Sequence, residues 1–334
     1  MIGSLTLSGG ENGRPWRLAC GVVVDAGQLC VGLTPHEAVA RVSSLFSLCG
    51  TAHAIAATRA LGLSEMDAAR QDGMRLEIMR DHALALLLEW PRWLGLPPAR
   101  DLLARLTHLK AHDPAACAGL RRELTGTSAD IAGFDLPGLG QWLESAREPH
   151  APVLVTLLAW LRERLCADWG RVSLPPLQAG DIEAAFGAGH DAPPTPRDAG
   201  ILPDHMDIPV IRALIGVEGV SLFVRLMARV VDLLACLHPT SQALFSRAAA
   251  LSPHLPGIGV ARAARGIVAH RAVVRQGRVA QYAILSPTFW HVAPGGLLPR
   301  IAAGLPVDGP RRPWLARLML SCVNPCVPVA VEEG

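Results

Sequence analysis

Long apolar runs, a leader, a dense set of cysteines and a concentration of basic charge are all missing from this 334-residue chain, and each absence removes a class of protein. The longest apolar stretches, 151–160 and 208–224, are short or interrupted by Arg212 and Glu218. Neither supplies the roughly 18 unbroken apolar residues of a membrane-spanning helix. The first residues, Met1-Ile-Gly-Ser-Leu-Thr, contain no basic segment followed by an apolar one, which predicts no secretory signal and a cytoplasmic location. Eight cysteines scattered over this length are not the framework of a small secreted scaffold, and in a reducing compartment they are expected as core residues or ligands. Net charge is only +2, with Lys110 the single lysine, and the arginines form no aromatic-basic stripe; neither nucleic acid nor membrane insertion is expected. Half of the residues are apolar, so the chain can bury a large core and is not disordered.

The local patterns describe a mainly α protein with small antiparallel β elements near both ends, a single domain over residues 1–334. Residues 4–8 and 16–24 read as strands joined by the turn-rich Gly9-Gly-Glu-Asn-Gly13, a hairpin. A helix is predicted from Thr34 to Ala60, with Thr34 and Glu37 as a capping box. A second runs from Ser64 to Trp90, capped by Ser64 with Asp67 in its first turn, with Met74, Ile78, Leu84 and Leu88 facing inward and Pro91 as its stop. Shorter helices fit 99–109, 115–123 and 151–167, and the glycines over 134–140 are expected to break the pattern. Residues 173–207, rich in Pro, Gly and Asp, read as a loop-rich surface excursion. A long helix is predicted over 210–237, and the β-branched segments 266–274 and 278–285 flank Arg275-Gln-Gly277 as a second hairpin.

Two soft thiols stand in the unusual tail Ser321-Cys-Val-Asn-Pro-Cys-Val-Pro-Val-Ala-Val-Glu332, whose apolar run before an acidic end predicts a segment tucked against the body. Cys322 and Cys326 lie four apart, the spacing of neighbours on a helix, which would suit a redox pair; the intervening Asn324-Pro325 opposes a regular helix there. No second Cys or His pair stands at zinc-ligand spacing. A cysteine beside glycine in a helical segment, such as Cys49, is ordinarily a small buried hydrophobe. His53 is open between a donor to a thiolate and a satisfied core histidine, Arg265 between a ligand-facing and a surface arginine, and Thr288 between a functional hydroxyl and turn chemistry after Pro287. Cys322 is read as core packing, and the remaining five cysteines as structural.

Taken together, Cys49-Gly-Thr-Ala-His53 near the front and Asn324-Pro-Cys-Val-Pro-Val-Ala-Val-Glu332 at the back resemble the large subunit of nickel-iron hydrogenases. In that family Cys-Gly-x-Cys-x-x-x-His and Asp-Pro-Cys-x-x-Cys-x-x-His motifs hold nickel beside an iron that carries cyanide and carbon monoxide. His53 keeps the motif distance if Cys49 is the second cysteine, which puts Phe46 at the first; an alternative register matches Cys49-Gly50 to the first pair. Asn324 stands for the aspartate, Val329 for the second C-terminal cysteine and Glu332 for the histidine. Arg265-Gly266, His270, Gly277-Arg-Val-Ala-Gln-Tyr282 and Ser286-Pro-Thr-Phe-Trp290 are similar to a third family segment. The resemblance implies that Arg265 lies over the iron and that Thr288 hydrogen-bonds a cyanide, sound chemistry for a buried anionic acceptor.

The departures narrow the resemblance. One cysteine remains per motif, so nickel and iron cannot both receive the full ligand set. The family's early Arg-x-Glu-Gly-His segment has no counterpart, and no peptide for proteolytic removal is expected beyond Glu332. The pattern is similar to the HupK/HoxV family of hydrogenase accessory proteins. That resemblance implies a non-enzymatic scaffold or carrier for iron with its cyanide and carbon monoxide ligands, with Cys49 and Cys326 as metal ligands, Arg265, Thr288 and His53 around the iron unit, and nickel not expected. The implied partners are maturation chaperones and the hydrogenase large-subunit precursor. The competing reading is a metal-free interaction protein that docks those partners.

Overall fold

The glycine-rich turn after Ser8 folds the chain back on itself, so that strand β1 (Leu5–Ser8) pairs antiparallel with β2 (Arg17–Cys20), Leu5 opposite Cys20. The computed structural model describes residues 3–10, 13–21, 25–63, 68–110, 113–189, 192–238, 244–252, 255, 257–307 and 313–332. Thr34 and Glu37 form the expected reciprocal capping box at the start of α1 (Pro35–Leu45). The helix does not continue to Ala60. It breaks at residues 46–49 and restarts as α2 (Gly50–Ala60). The reason is tertiary: the Glu77 carboxylate accepts the Thr51 amide at 2.8 Å and the Ala52 amide at 3.4 Å, capping the new N-terminus from another helix. Gly50 also packs so tightly that a Cβ would lie 2.6 Å from the Ser43 carbonyl oxygen.

Helix α3 (Ala68–Leu84) carries Met74 and Ile78 into the core; the proposed caps Ser64 and Asp67 lie outside the described residues. Leu84 is exposed, because a π-helical turn over Ala85–Glu89 adds a residue to the winding and brings Ala85, Leu86 and Leu87 inward instead. Pro91 does not stop the helix. It sits in the first turn of α4 (Trp90–Leu94), and the Leu87 carbonyl it leaves unserved accepts the Ala99 amide at 2.9 Å.

Helices α5 (Arg100–Thr107) and α6 (Pro114–Thr125) fall where expected. The glycine-rich stretch after Phe134 is helical rather than broken: in α7 (Leu136–Glu144) the Asp135 side chain caps Gly138, and buried Trp142 donates its indole N–H to the Thr125 carbonyl at 2.8 Å. Helix α8 (Val153–Arg164) follows. The 173–207 stretch carries α9 (Ala179–Ala188) and sends Asp198, Ala199 and Leu202 into the interior. The long helix expected over 210–237 is two, α10 (Pro209–Glu218) and α11 (Leu222–Cys236), split at Gly219 with φ +68° and recapped by Ser221. Helix α11 is buried on nearly every side, including Arg225, Arg229 and Asp232, so those charges must find partners inside the protein.

After α12 (Ser246–Leu251) comes a three-stranded antiparallel sheet of β3 (Ile258–Ala263), β4 (Gly266–Arg275) and β5 (Arg278–Leu285). The expected hairpin is present; Gln276 and Gly277 both take positive φ, as a two-residue turn between twisted strands requires. Strand β3 adds an unforeseen edge that lies against α2, where a Cβ on Gly259 would sit 1.8 Å from the Ala56 carbonyl oxygen. The chain closes through α13 (Pro287–Val292), α14 (Leu297–Ala303), α15 (Pro313–Val323) and β6 (Val329–Val331), which pairs parallel with β1, Leu5 opposite Val329. The mainly α class with small antiparallel elements near both ends is observed, and a parallel strand from the tail joins the first of them.

Candidate functional site

Three breaks in regular structure build one cleft. Helix α15 ends at Val323, Asn324 turns the backbone at φ +46°, and residues 324–328 carry Cys326 toward the α1–α2 loop. The tail is fixed there by the Leu5 amide on the Pro328 carbonyl and the Glu332 amide on the Leu7 carbonyl, both at 2.9 Å. Across from it, Cys49 occupies the N-cap position of α2. Cys49 and Cys326 line the same cavity of about 150 Å³, with Gly3, Phe46, Leu48 and Pro328 among its other walls.

The two thiols have different surroundings. Cys49 is buried, and burial pushes its thiol up to about 12 although the Arg265 guanidinium pulls the other way. Cys326 is half-buried and is held by Thr288, whose hydroxyl accepts the Cys326 amide at 2.9 Å and donates to Sγ at 3.1 Å. A hydroxyl has one proton, so in this arrangement Thr288 supports the thiol.

Arg265 sits at the β3–β4 turn, which Gly266 makes possible at φ +122° while packed against the Ala199 carbonyl. Its Nη2 is 2.9 Å from Asp81 Oδ2. Asp81 Oδ1 accepts from Arg229 Nη2 and Asn324 Nδ2, each at 2.9 Å. Burial alone would raise the Asp81 carboxyl, but Arg265 and Arg229 hold it below the usual range. The remaining donors of Arg265, Nε and Nη1, are buried and have no hydrogen-bond partner among the described residues. Two open donors on the guanidinium that acts on the Cys49 thiol are capacity for an acceptor.

His53 lies one helical turn from Cys49, its amide on the Cys49 carbonyl at 3.0 Å. Its ring stacks on Phe46 at 3.8 Å between centroids, and Nδ1 shares a 2.8 Å hydrogen bond with His270 Nε2, whose Nδ1 meets the Tyr282 hydroxyl at 2.7 Å. Burial holds His53 well below the ordinary imidazole range and His270 down to about 3, so this chain is neutral. Cys322 is half-buried, its thiol 3.9 Å from the Leu222 carbonyl and pushed up to about 12 by desolvation; the end of α15 before Asn324 separates it from Cys326. Glu332 is exposed. Of the five cysteines read as structural, Cys30, Cys117 and Cys236 are buried and Cys20 and Cys166 are exposed.

Sequence reading did not find Asp81, Arg229 or Glu77. The run Arg80-Asp81-His82 gave no distinct signal, because the same helix also carries Arg70, Gln71, Asp72, Arg75 and Glu77. Behind them the charges continue inward. Arg229 Nε donates to His82 Nδ1 at 3.1 Å, which places the His82 proton on Nε2, 2.6 Å from Asp232 Oδ2. Asp232 Oδ1 takes His205 Nε2 and Arg262 Nη2, both at 2.6 Å. Opposed by burial but outweighed by Arg262 and the two imidazoles, the Asp232 carboxyl lies well below its usual range. Arg262 also pairs with Asp204 at 3.2 Å. Arg247 Nε lies 2.9 Å from Asp204 Oδ1 without hydrogen-bond alignment, an ion pair rather than a directed bond.

Among the described residues, no three His, Cys, Asp or Glu side chains converge as a metal cage. Two soft thiols with adjacent guanidinium donors instead fit a metal that brings anionic ligands of its own. Among the described residues no helix is long and apolar enough to cross a membrane.

No family model matches the chain. It is 32% identical over 308 residues to the hydrogenase expression/formation protein HupK of Rhodobacter capsulatus, covering 91% of this chain and 88% of that one. It is 30% identical over 330 residues to HupK of Azotobacter vinelandii and 28% identical over 330 residues to HupV of Azotobacter chroococcum mcd 1, covering 91% of this chain and 90% of each relative. Among solved structures, the Ni-Fe-Se hydrogenase of D. vulgaris Hildenborough superposes with a TM-score of 0.59 at 15% identity, over 95% of this chain and 94% of that one. The Ni-Fe-Se hydrogenase of Desulfomicrobium baculatum gives 0.55 at 13% identity over 93% of both. At such identities the likeness is one of fold, that of the nickel-iron hydrogenase large subunit.

Proposed function

The chain belongs to the HupK family of hydrogenase expression/formation proteins, and we propose that within hydrogenase maturation it is a scaffold or carrier. Its cargo would be iron with cyanide and carbon monoxide ligands, held before transfer to the hydrogenase large-subunit precursor, without hydrogen turnover. The observation that carries this reading is the joint placement of Cys49 and Cys326 on one cleft, with Arg265 acting on the Cys49 thiol while two of its buried donors stay open.

Each residue has a task in that reading. Cys49 and Cys326 bind iron as thiolates, which requires both to lose their protons on loading. Thr288 donates to Cys326 and compensates its charge, while Arg265 offers Nε and Nη1 to an anionic acceptor on the cargo. His53, stacked on Phe46 at the cleft wall, orients the first turn of α2 through its bond to His270. Two protein ligands leave the remaining positions of the metal to its own small ligands and to an acceptor, so the cargo is held without being enclosed.

The test is infrared spectroscopy and metal analysis of protein purified without oxygen from cells that contain the maturation machinery. Bands from metal-bound cyanide and carbon monoxide, with iron and without nickel, are expected, and Cys49→Ala or Cys326→Ala should abolish them. Iron-free wild-type protein whose double alanine variant still matures the hydrogenase would replace this reading with the metal-free docking protein.

A further inference from the structure

We infer that Asn324 sets the charge of the thiol cleft: standing as a neutral donor beside Asp81, it keeps the guanidinium of Arg265 available to an anionic ligand held between Cys49 and Cys326. The inference rests on the reading of the cleft as the receiver of an anionic iron unit, and adds the residue that makes it prefer negative charge.

The left-handed backbone at Asn324 does not itself demand asparagine, since aspartate tolerates this region as well. The side-chain contacts do discriminate. Asn324 Nδ2 donates to Asp81 Oδ1 at 2.9 Å, the oxygen that also accepts from Arg229, while Oδ2 faces Arg265. An aspartate has no proton to give there. It would set a second carboxylate against the first, adding negative charge beside the group that Arg265 pairs with. The charged groups around the thiols are Arg229 and Arg265 against Asp81 and Glu77, with the partly positive N-terminus of α2 at Cys49. One more carboxylate would turn this balance negative, and a cargo bearing cyanide would then be repelled.

The experiment compares alkylation of Cys326 by anionic iodoacetate and neutral iodoacetamide in the intact, anaerobic protein, with the products quantified by peptide mass spectrometry. Both reagents consume the same thiolate, forming an S–C bond as iodide leaves, so the ratio of their rates cancels thiolate content and reports local charge. In the wild type the iodoacetate-to-iodoacetamide ratio should be higher at Cys326 than at exposed Cys166 of the same molecules. Asn324→Asp should lower the Cys326 ratio about fivefold, Asn324→Ala should leave it within about twofold, and the paired exchange Asp81→Asn with Asn324→Asp should restore it. A wild-type ratio no higher than that of Cys166, or one unmoved by Asn324→Asp, overturns the inference. If Asn324→Asp does not fold, the paired exchange decides alone, and a departure of more than about twofold from wild type overturns it. Because no iron is involved, this outcome is independent of the infrared result: a protein with the expected ratios and no bands keeps the charge preference and loses the cargo.

Discussion

Two buried ionic clusters share a single chain of contacts through Arg229 and His82, and they are finished differently. At the inner end Asp232 receives two imidazoles and a guanidinium, each at 2.6 Å, so its acceptors are occupied. At the outer end Asp81 is equally well served, yet Arg265 keeps two buried donors with no partner. Burial without partners costs about 1–3 kcal/mol per group, so Arg265 carries a burden that Arg262, bonded through all three of its nitrogens, lacks. The difference teaches where to look for a ligand: saturated charges hold the fold, and unsaturated ones await something. Partnerless buried nitrogens also occur on Trp16, Arg225, Arg247 and His291, but Arg225 and Arg247 are ion-paired with Asp198 and Asp204, Asp198 also faces the His291 ring, and none of these groups acts on Cys49 as Arg265 does.

The comparison breaks most visibly at its inner end. Asp232→Ala would strand the buried Arg262 together with His82 and His205, and a loss of about 3–5 kcal/mol is expected, read as a drop in the denaturant midpoint. A small loss would mean that water or a rearranged Asp204 takes over, and that the inner cluster is not the anchor.

Acid should act next. His53, His270 and His291 are neutral in the fold, lowered mainly by burial, His270 to about 3 and His291 to about 4. In the unfolded chain they titrate near 6.5. Stability from them is therefore complete above about pH 6.5 and is lost as pH falls from there toward the folded values, because the unfolded state binds protons first. At pH 5 the loss is about 2 kcal/mol each for His270 and His291. Urea midpoints between pH 7.5 and 5 should fall accordingly, with a shallower decline in His270→Gln.

Smaller effects sharpen the outer end. Arg265→Leu removes one partner of Asp81 but also the two unsatisfied donors, so stability should stay within about 1 kcal/mol of wild type while the infrared bands are lost. Cys49→Ala, which trims a small buried side chain, should cost about 1 kcal/mol or less with the same loss of bands. Should either substitution unfold the protein, the outer cluster would be structural after all.

Much of the fold was legible because its signals are local. The Thr34 capping box, the Gln276-Gly277 turn and the amphipathic run of α8 each state their own conformation. What the sequence could not state is where one element acts on another. Glu77 caps α2 from a different helix, Ala99 relieves Pro91 of its missing bond, and the π-turn at Ala85 moves the inward face from Leu84 to Leu86 and Leu87. The site followed the same rule. The cysteines were found from motifs, whereas Asp81 and Arg229 matter through contacts spanning more than a hundred residues. Thr288 was singled out by resemblance, and its contacts with Cys326 became visible only in the fold.

The parallel pairing of β6 with β1 also has a meaning in time. A ribosome delivers Cys49 early, and the strand that positions Cys326 comes only after every other described element. A growing chain thus presents Cys49 with nothing opposite it, and the cleft between the two thiols exists only once the last strand is in place. The cleft is in this sense a completion signal, closed by the same strand that joins the two ends of the fold.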